Sequence, residues 1–431
     1  MVQISETSGN FGQFRDGADE ARTVPGAARS ERMRGEIKEH SMKRAAALVL
    51  TAFVGLAASA QPLKVALEPK PNKHVITRPA HDGPVIQLVI CLDTSGSMEG
   101  LINQARTRLW NVISTLDTAR MNGQRPRLEV AIMQYGSTHQ SSAEGYMGIV
   151  LPFTSDLDRI SEVLYSLQIA GSAEYCGMAV ERATYELDWL PTGEGVMKVI
   201  MIAGNEEFTQ GGVNFRTSVP TAVEYGITVN TVHCGGDVAG RNGGWAEAAK
   251  LGRGEYNIID QNKKIRYIRC PQDDRINELN VELNGTYLYY GAMGQDSRSR
   301  QLAQDSLNDN ATPEAGVNRI AAKAKESYSN SHWDLVDASE GADFDYGAIE
   351  PETLPAELQT LTPEELEERV EQERARRAEI QSEIQKLVKE RTAWREAELK
   401  RLGEESEEGL DTALAAALVS QAMDAGFTFE K

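Results

Sequence analysis

The chain has 431 residues, 41% of them hydrophobic, with 45 Lys and Arg against 64 Asp and Glu and a formal charge of −19. That length exceeds one ordinary hydrophobic core and fits about two or three domains. The acidic balance argues against nonspecific nucleic-acid binding, which needs clustered Lys and Arg; it favours cation attraction but identifies no partner.

Residues 1–41 are polar, mix both charge signs and lack an apolar period, so disorder is expected there, with Met42 as the biological start. Residues 42–60, MKRAAALVLTAFVGLAASA, combine a basic start at Lys43 and Arg44, an apolar run and a small-residue cleavage site, Ala58-Ser59-Ala60, before Gln61. The run is about 13 residues, short of the roughly 20 that span a bilayer as a helix. This is the pattern of a secretory signal peptide; the alternative is a membrane anchor. No cysteine follows the cleavage site, which argues against lipid attachment. A periplasmic or secreted protein is expected, with no membrane span after cleavage and a linker over residues 61–84.

From Pro84 strand-like and helix-like segments alternate. VIQLVICL is a continuous apolar run, as expected of a central strand covered on both faces. A helix from about residue 100 to 116 follows, with Leu101, Ala105, Leu109, Val112, Ile113 and Leu116 on one stripe. LEVAIMQYG and GYMGIVLPF read as an antiparallel hairpin at one sheet edge. Helices are expected at 156–168 and 176–188, and another near 216–225 lies between the buried strands KVIMIAG and ITVNTVHCG; GEYNIID closes the series. Such alternation argues for a doubly wound α/β domain over residues 85–260, a mostly parallel six-stranded sheet flanked by helices.

Beyond it an α-helical extension is expected over 261–350, with helices at 271–283, 296–308 and 314–328, and a charged helical tail over 351–431. Residues 362–402 form one long helix. Thr362 is its N-cap, Pro363 its first residue, and Glu365 completes a capping box. Leu366, Val370, Ile380, Ile384, Leu387 and Trp394 follow a coiled-coil spacing that Glu373, Arg377 and Arg391 interrupt. Self-association through 362–402 and a solvated helix packed on the main domain are both compatible with it. Residues 410–427 read as a final helix.

Cys91, Cys176, Cys234 and Cys270 are far apart, which gives no zinc pattern and leaves disulfides undecided. His233 ends an apolar strand and reads as a hydrogen-bonded core or rim residue. Gly-rich residues 235–244 read as a flexible surface loop, and Trp245 as a core cap. Ser-His-Asp and Cys-His arrangements are not evident, so an enzyme is not expected.

The chemistry concentrates at DTSGSM, where the first strand ends. A turn accounts for any one of Asp93, Ser95 and Ser97. Together they offer oxygens at alternate positions of a compact loop, as a hard cation requires. Open α/β sheets bind ligands beyond the carboxyl ends of their strands, and Asp93 sits at such an end.

This motif at the end of the first buried strand of a six-strand α/β alternation resembles the von Willebrand factor type A domain, also found as the inserted domain of integrins. The resemblance implies a metal-ion-dependent adhesion site. Asp93, Ser95 and Ser97 would supply oxygens to a divalent cation, magnesium or else manganese or calcium, and a carboxylate of the partner would take the open position. In the second loop, AGSAEYCGMAV, Glu174 stands where the family carries Thr. In the third loop, MIAGNEEFTQGG, Gly204 stands where the family carries Asp, leaving Asn205 or Glu206 to supply an oxygen.

The expectation is therefore a non-enzymatic binding protein that engages an acidic group of a protein or glycan. A metal-free scaffold acting through its C-terminal helices is the alternative.

Overall fold

The computed structural model describes residues 83–260, 267–402 and 410–429. The expected segments at 1–41 and 42–60, and nearly all of the 61–84 linker, lie outside these. Strand β1 (Val85–Asp93) leads into helix α1 (Glu99–Leu116), the short strand β2 (Ala119–Arg120) and strand β3 (Arg127–Tyr135). Edge strand β4 (Gly148–Thr154) follows, then α2 (Leu157–Ser166), α3 (Cys176–Glu186) and β5 (Val196–Gly204). Next come α4 (Phe215–Glu224), β6 (Thr228–His233), α5 (Asp237–Asn242), α6 (Trp245–Leu251) and β7 (Arg253–Ile258).

These strands form one six-stranded sheet in the order β4-β3-β1-β5-β6-β7. Strand β1 pairs in parallel with both β3 and β5, which explains its unbroken apolar sequence: both edges are paired and every residue but the half-buried Ile90 is buried. Only β3 and β4 run antiparallel, as the hairpin reading expected. On one face Leu88, Val130 and Val199 pack beneath Leu109, Trp110 and Ile113 of α1. On the other, Val89, Ala131 and Ile200 meet Val180 of α3, Val219 of α4 and Trp245 of α6. All four cysteines are buried and free, Cys91 among them as a small core residue.

Residues 235–244 correct the sequence reading. Their middle, Asp237–Asn242, forms α5 where a flexible loop was expected. Gly240 packs so tightly that an added Cβ would lie 2.6 Å from the His233 ring and closer still to the Tyr256 hydroxyl. The glycine there serves close packing, not mobility.

The helical part comprises α7 (Asp273–Asn284), α8 (Gly294–Ala311), α9 (Pro313–Lys323), α10 (Leu335–Ala338), α11 (Pro363–Leu402) and α12 (Leu410–Asp424), ending in β8 (Thr428–Phe429). Helices α9 and α12 pack on α1, and Val317, Ile320, Leu418 and Phe427 join the same core as Leu109 and Ile113. Strand β8 pairs antiparallel with β2, and the side-chain amides of Asn230 and Gln421 bond reciprocally at 3.0 and 2.6 Å.

Helix α11 opens with the expected capping box: the Thr362 N–H donates to Glu365 Oε2 at 2.8 Å, and the Glu365 N–H to Thr362 Oγ1 at 3.2 Å. Its stripe Leu366, Val370, Ile380 and Ile384 is buried within the chain. The charges that interrupt the stripe are buried too. Arg377 donates to Asp334 and Asp337 at 2.7 and 2.6 Å, and Arg391 to Asp273 and Glu314, both at 2.7 Å. The irregular heptad is an intramolecular packing face with buried ion pairs built into it. Among the described residues, no helix is long and apolar enough to cross a membrane.

Candidate cation site at the end of the sheet

Asp93 ends β1 with its side chain buried. The chain leaves the sheet through backbone bonds: the Thr94 N–H and hydroxyl donate to the Tyr135 carbonyl at 2.9 and 3.2 Å. The Ser95 N–H turns back to Asp93 Oδ1 at 2.8 Å, the local bond that short polar residues make in turns. Ser95 Oγ and Ser97 Oγ lie 3.3 Å apart. Helix α1 begins two residues later at Glu99, so the loop sits at a helix N-terminus.

The second loop is laced to the first. The Ala170 N–H donates to the Thr94 carbonyl at 2.9 Å, and the Gly96 N–H to the Gly171 carbonyl at 3.0 Å. Gly171 adopts a φ of +121°, and an added Cβ would drive into the Gly136 carbonyl. This lacing places Glu174, buried, just before α3, with its N–H donating to Gln210 Oε1 at 2.6 Å.

The third loop follows Gly204. Asn205 Nδ2 donates to Ser97 Oγ at 3.1 Å, so Asn205 faces the motif. The Glu206 side chain is exposed, and its carbonyl accepts from the Trp245 indole at 2.7 Å. The structure therefore brings Asp93, Ser95, Ser97, Glu174 and Asn205 together and leaves the Glu206 carboxylate at the rim.

Burial pushes the Asp93 carboxyl up to about 8, helped by the charge of Glu174 and a hydrogen bond with it, and opposed by bonds from Ser95. Burial also raises Glu174, opposed by hydrogen bonds with Asp93 and Ser95. Without a counter-charge, the two carboxyls are driven to retain a proton between them.

Whether the residues fit a divalent cation turns on their unpaired atoms. Asp93 Oδ2, Glu174 Oε2 and Asn205 Oδ1 are buried without a hydrogen-bond partner. Buried polar atoms are normally paired, and two unpaired carboxylate oxygens are costly to hold dry. Space is also kept open: a Cβ added at Gly136 would lie 2.8 Å from Asp93 Oδ1 and 3.0 Å from Glu174 Cγ. Two carboxylates, two hydroxyls and an amide oxygen are the hard donors that magnesium, manganese and calcium take. The donor set fits such an ion. Among the described residues no three His, Cys, Asp or Glu side chains gather as a metal cluster, so any ion here leans on the hydroxyl and amide oxygens.

Sequence reasoning missed Gly136, Tyr135 and Gln210. A glycine directly after a buried strand, as in MQYG, was a usable signal for Gly136. Nothing local marks Gln210, 36 residues from the Glu174 amide it holds. His233 is buried against Trp245, ring centroids 5.6 Å apart, as a core residue.

Residues 87–249 match the family model of the von Willebrand factor type A domain. Comparison with curated proteins finds no match. Among solved structures, the chain is similar to the conserved hypothetical protein BatB from Bacteroides thetaiotaomicron, at 20% identity over 41% of this chain and 90% of that one, with a TM-score of 0.32. It is also similar to the SpRpn10 VWA domain, at 12% identity over 42% and 90% with a TM-score of 0.32. A third similarity is to a von Willebrand factor type A protein from Catenulispora acidiphila, at 17% identity over 41% and 39% with a TM-score of 0.29.

Proposed function

With residues 87–249 a von Willebrand factor type A domain, we propose that this chain is an exported, non-enzymatic binding protein that engages a partner through a divalent cation. Asp93 and Glu174 would carry the charge that holds the ion, Ser95 and Ser97 would add neutral oxygens, and Asn205 would supply the third loop's oxygen. When bound, the ion would supply positive charge at the protein surface. A carboxylate on a protein or glycan partner is the ligand that such a charge selects.

The observation that carries this reading is the set of buried, unpartnered oxygens Asp93 Oδ2, Glu174 Oε2 and Asn205 Oδ1 on three separate loops. The Asn205–Ser97 bond supports it over a metal-free scaffold, because the third loop turns towards the motif. Export rests on the Lys43–Ala60 pattern alone.

The test is calorimetric titration of the protein with magnesium, manganese and calcium, repeated on Asp93→Asn. Saturable binding by the parent and none by the variant is expected. Equal binding by both would reduce the DTSGSM loop to a turn.

A further inference from the structure

Gly204 stands at the end of β5 where the resemblance called for a carboxylate, and the reason lies in a neighbour. An added Cβ at 204 would fall well inside contact distance of the Tyr135 hydroxyl and 3.1 Å from both Cβ and Oδ2 of Asp93. The Gly204 backbone is not in the left-handed region, so space and not conformation demands glycine. The Tyr135 phenol occupies that space.

Tyr135 also reaches each site loop. Its carbonyl accepts both Thr94 donors at the end of β1. Its hydroxyl donates to the Ala203 carbonyl at 2.8 Å, two residues before Asn205. The Cys176 thiol, at the start of the helix that follows Glu174, donates to that hydroxyl at 3.8 Å. The ring is fully buried. One residue thus fastens all three loops, its main-chain carbonyl holding the segment after Asp93 and its hydroxyl holding those that carry Asn205 and Glu174.

We propose that Tyr135 is the positioning residue of the cation site: its phenol fills the place of a third-loop side chain and fixes the second and third loops, while its main-chain carbonyl holds the first. This rests on the cation reading above. Tyr135 does not itself ligate, because its hydroxyl is spent on Ala203 and Cys176.

The experiment uses the full chain as Tyr135→Phe, Gly204→Ala and the double variant. Manganese titration and chelator-treated melting are the two readouts. Tyr135→Phe should keep its fold and bind manganese roughly tenfold more weakly, the order of effect expected when the buried hydrogen bonds to Ala203 and Cys176 are lost. Gly204→Ala should melt lower than the parent, and adding Tyr135→Phe should recover part of that loss by removing the oxygen that the new methyl meets. Leu366→Ala, in an apolar cluster separate from both sheet faces, should lower melting without changing manganese affinity.

Parent-like manganese affinity in Tyr135→Phe overturns the positioning role. Additive melting losses in the double variant overturn the claim that the phenol is what excludes a side chain at 204. No manganese binding by the parent, with the melting recovery intact, sinks the cation reading and the positioning role but leaves the packing account standing.

Discussion

Asp93 is the residue whose surroundings most strongly set its chemistry. Its folded-state value near 8 lies far above the roughly 3.9 of an unfolded chain. A raised carboxyl value means that the folded state holds the proton more tightly. Stability from this group is therefore fully present below about pH 4 and is lost as pH rises towards about 8. In chelator, melting should fall between pH 5.5 and 8.5, and Asp93→Asn should flatten that fall; matching slopes would show that the pair does not titrate this way. A cation must displace the retained proton, so magnesium affinity should climb over the same interval. Ser97→Ala removes a neutral oxygen, already bonded to Asn205 at 3.1 Å, and should weaken titrated magnesium binding without abolishing it.

At the scale of elements, α11 shows how a broken pattern can be informative. A regular seam would have joined two chains; Arg377 and Arg391 instead find acids within this one. Arg377 lies 4.0 Å over the Tyr287 ring and bonds Asp334, which is wholly buried. Arg377→Ala would strand that carboxylate, at a cost of about 3–5 kcal/mol, because the desolvation is no longer offset. Urea unfolding measures this; a change below about 1 kcal/mol would mean that water reaches Asp334. The 362–402 segment alone should have low helicity that does not depend on concentration, since its buried charges lack partners outside the full chain. Circular dichroism across a dilution series checks this, and helicity rising with concentration would restore the coiled-coil reading.

At the scale of the whole molecule, the last residues close the first domain. Leu418, Ala422 and Phe427 belong to the core beneath α1, Gln421 meets Asn230 of β6, and β8 pairs with β2. Residues 267–402 thus lie in sequence between the final sheet strand and a helix that covers the sheet. Deleting residues 410–431 should cost several kcal/mol, since each fully buried large apolar side chain contributes about 1.5–3 kcal/mol. A chain that ends at 409 and unfolds in urea at the parent midpoint would show that α12 is a dispensable appendage.

What the sequence determined by itself was whatever depends on local periodicity. VIQLVICL read as a strand covered on both faces, Thr362 to Glu365 as a helix start, and DTSGSM as an oxygen-rich loop at a strand's carboxyl end. The α/β alternation then fixed the class of sheet and placed Asp93 at its ligand-binding end. The tertiary structure alone decided which distant groups met that loop. Asn205 rather than the Glu206 side chain turns to Ser97, Gln210 holds Glu174, and Tyr135 takes the space beside Gly204. It also decided that Glu373, Arg377 and Arg391 are core residues and that Gly240 is packed rather than mobile. The division has one physical cause. Periodicity reports which face of an element avoids water, whereas the cost of a buried charge or a crowded glycine depends on atoms brought in from elsewhere along the chain.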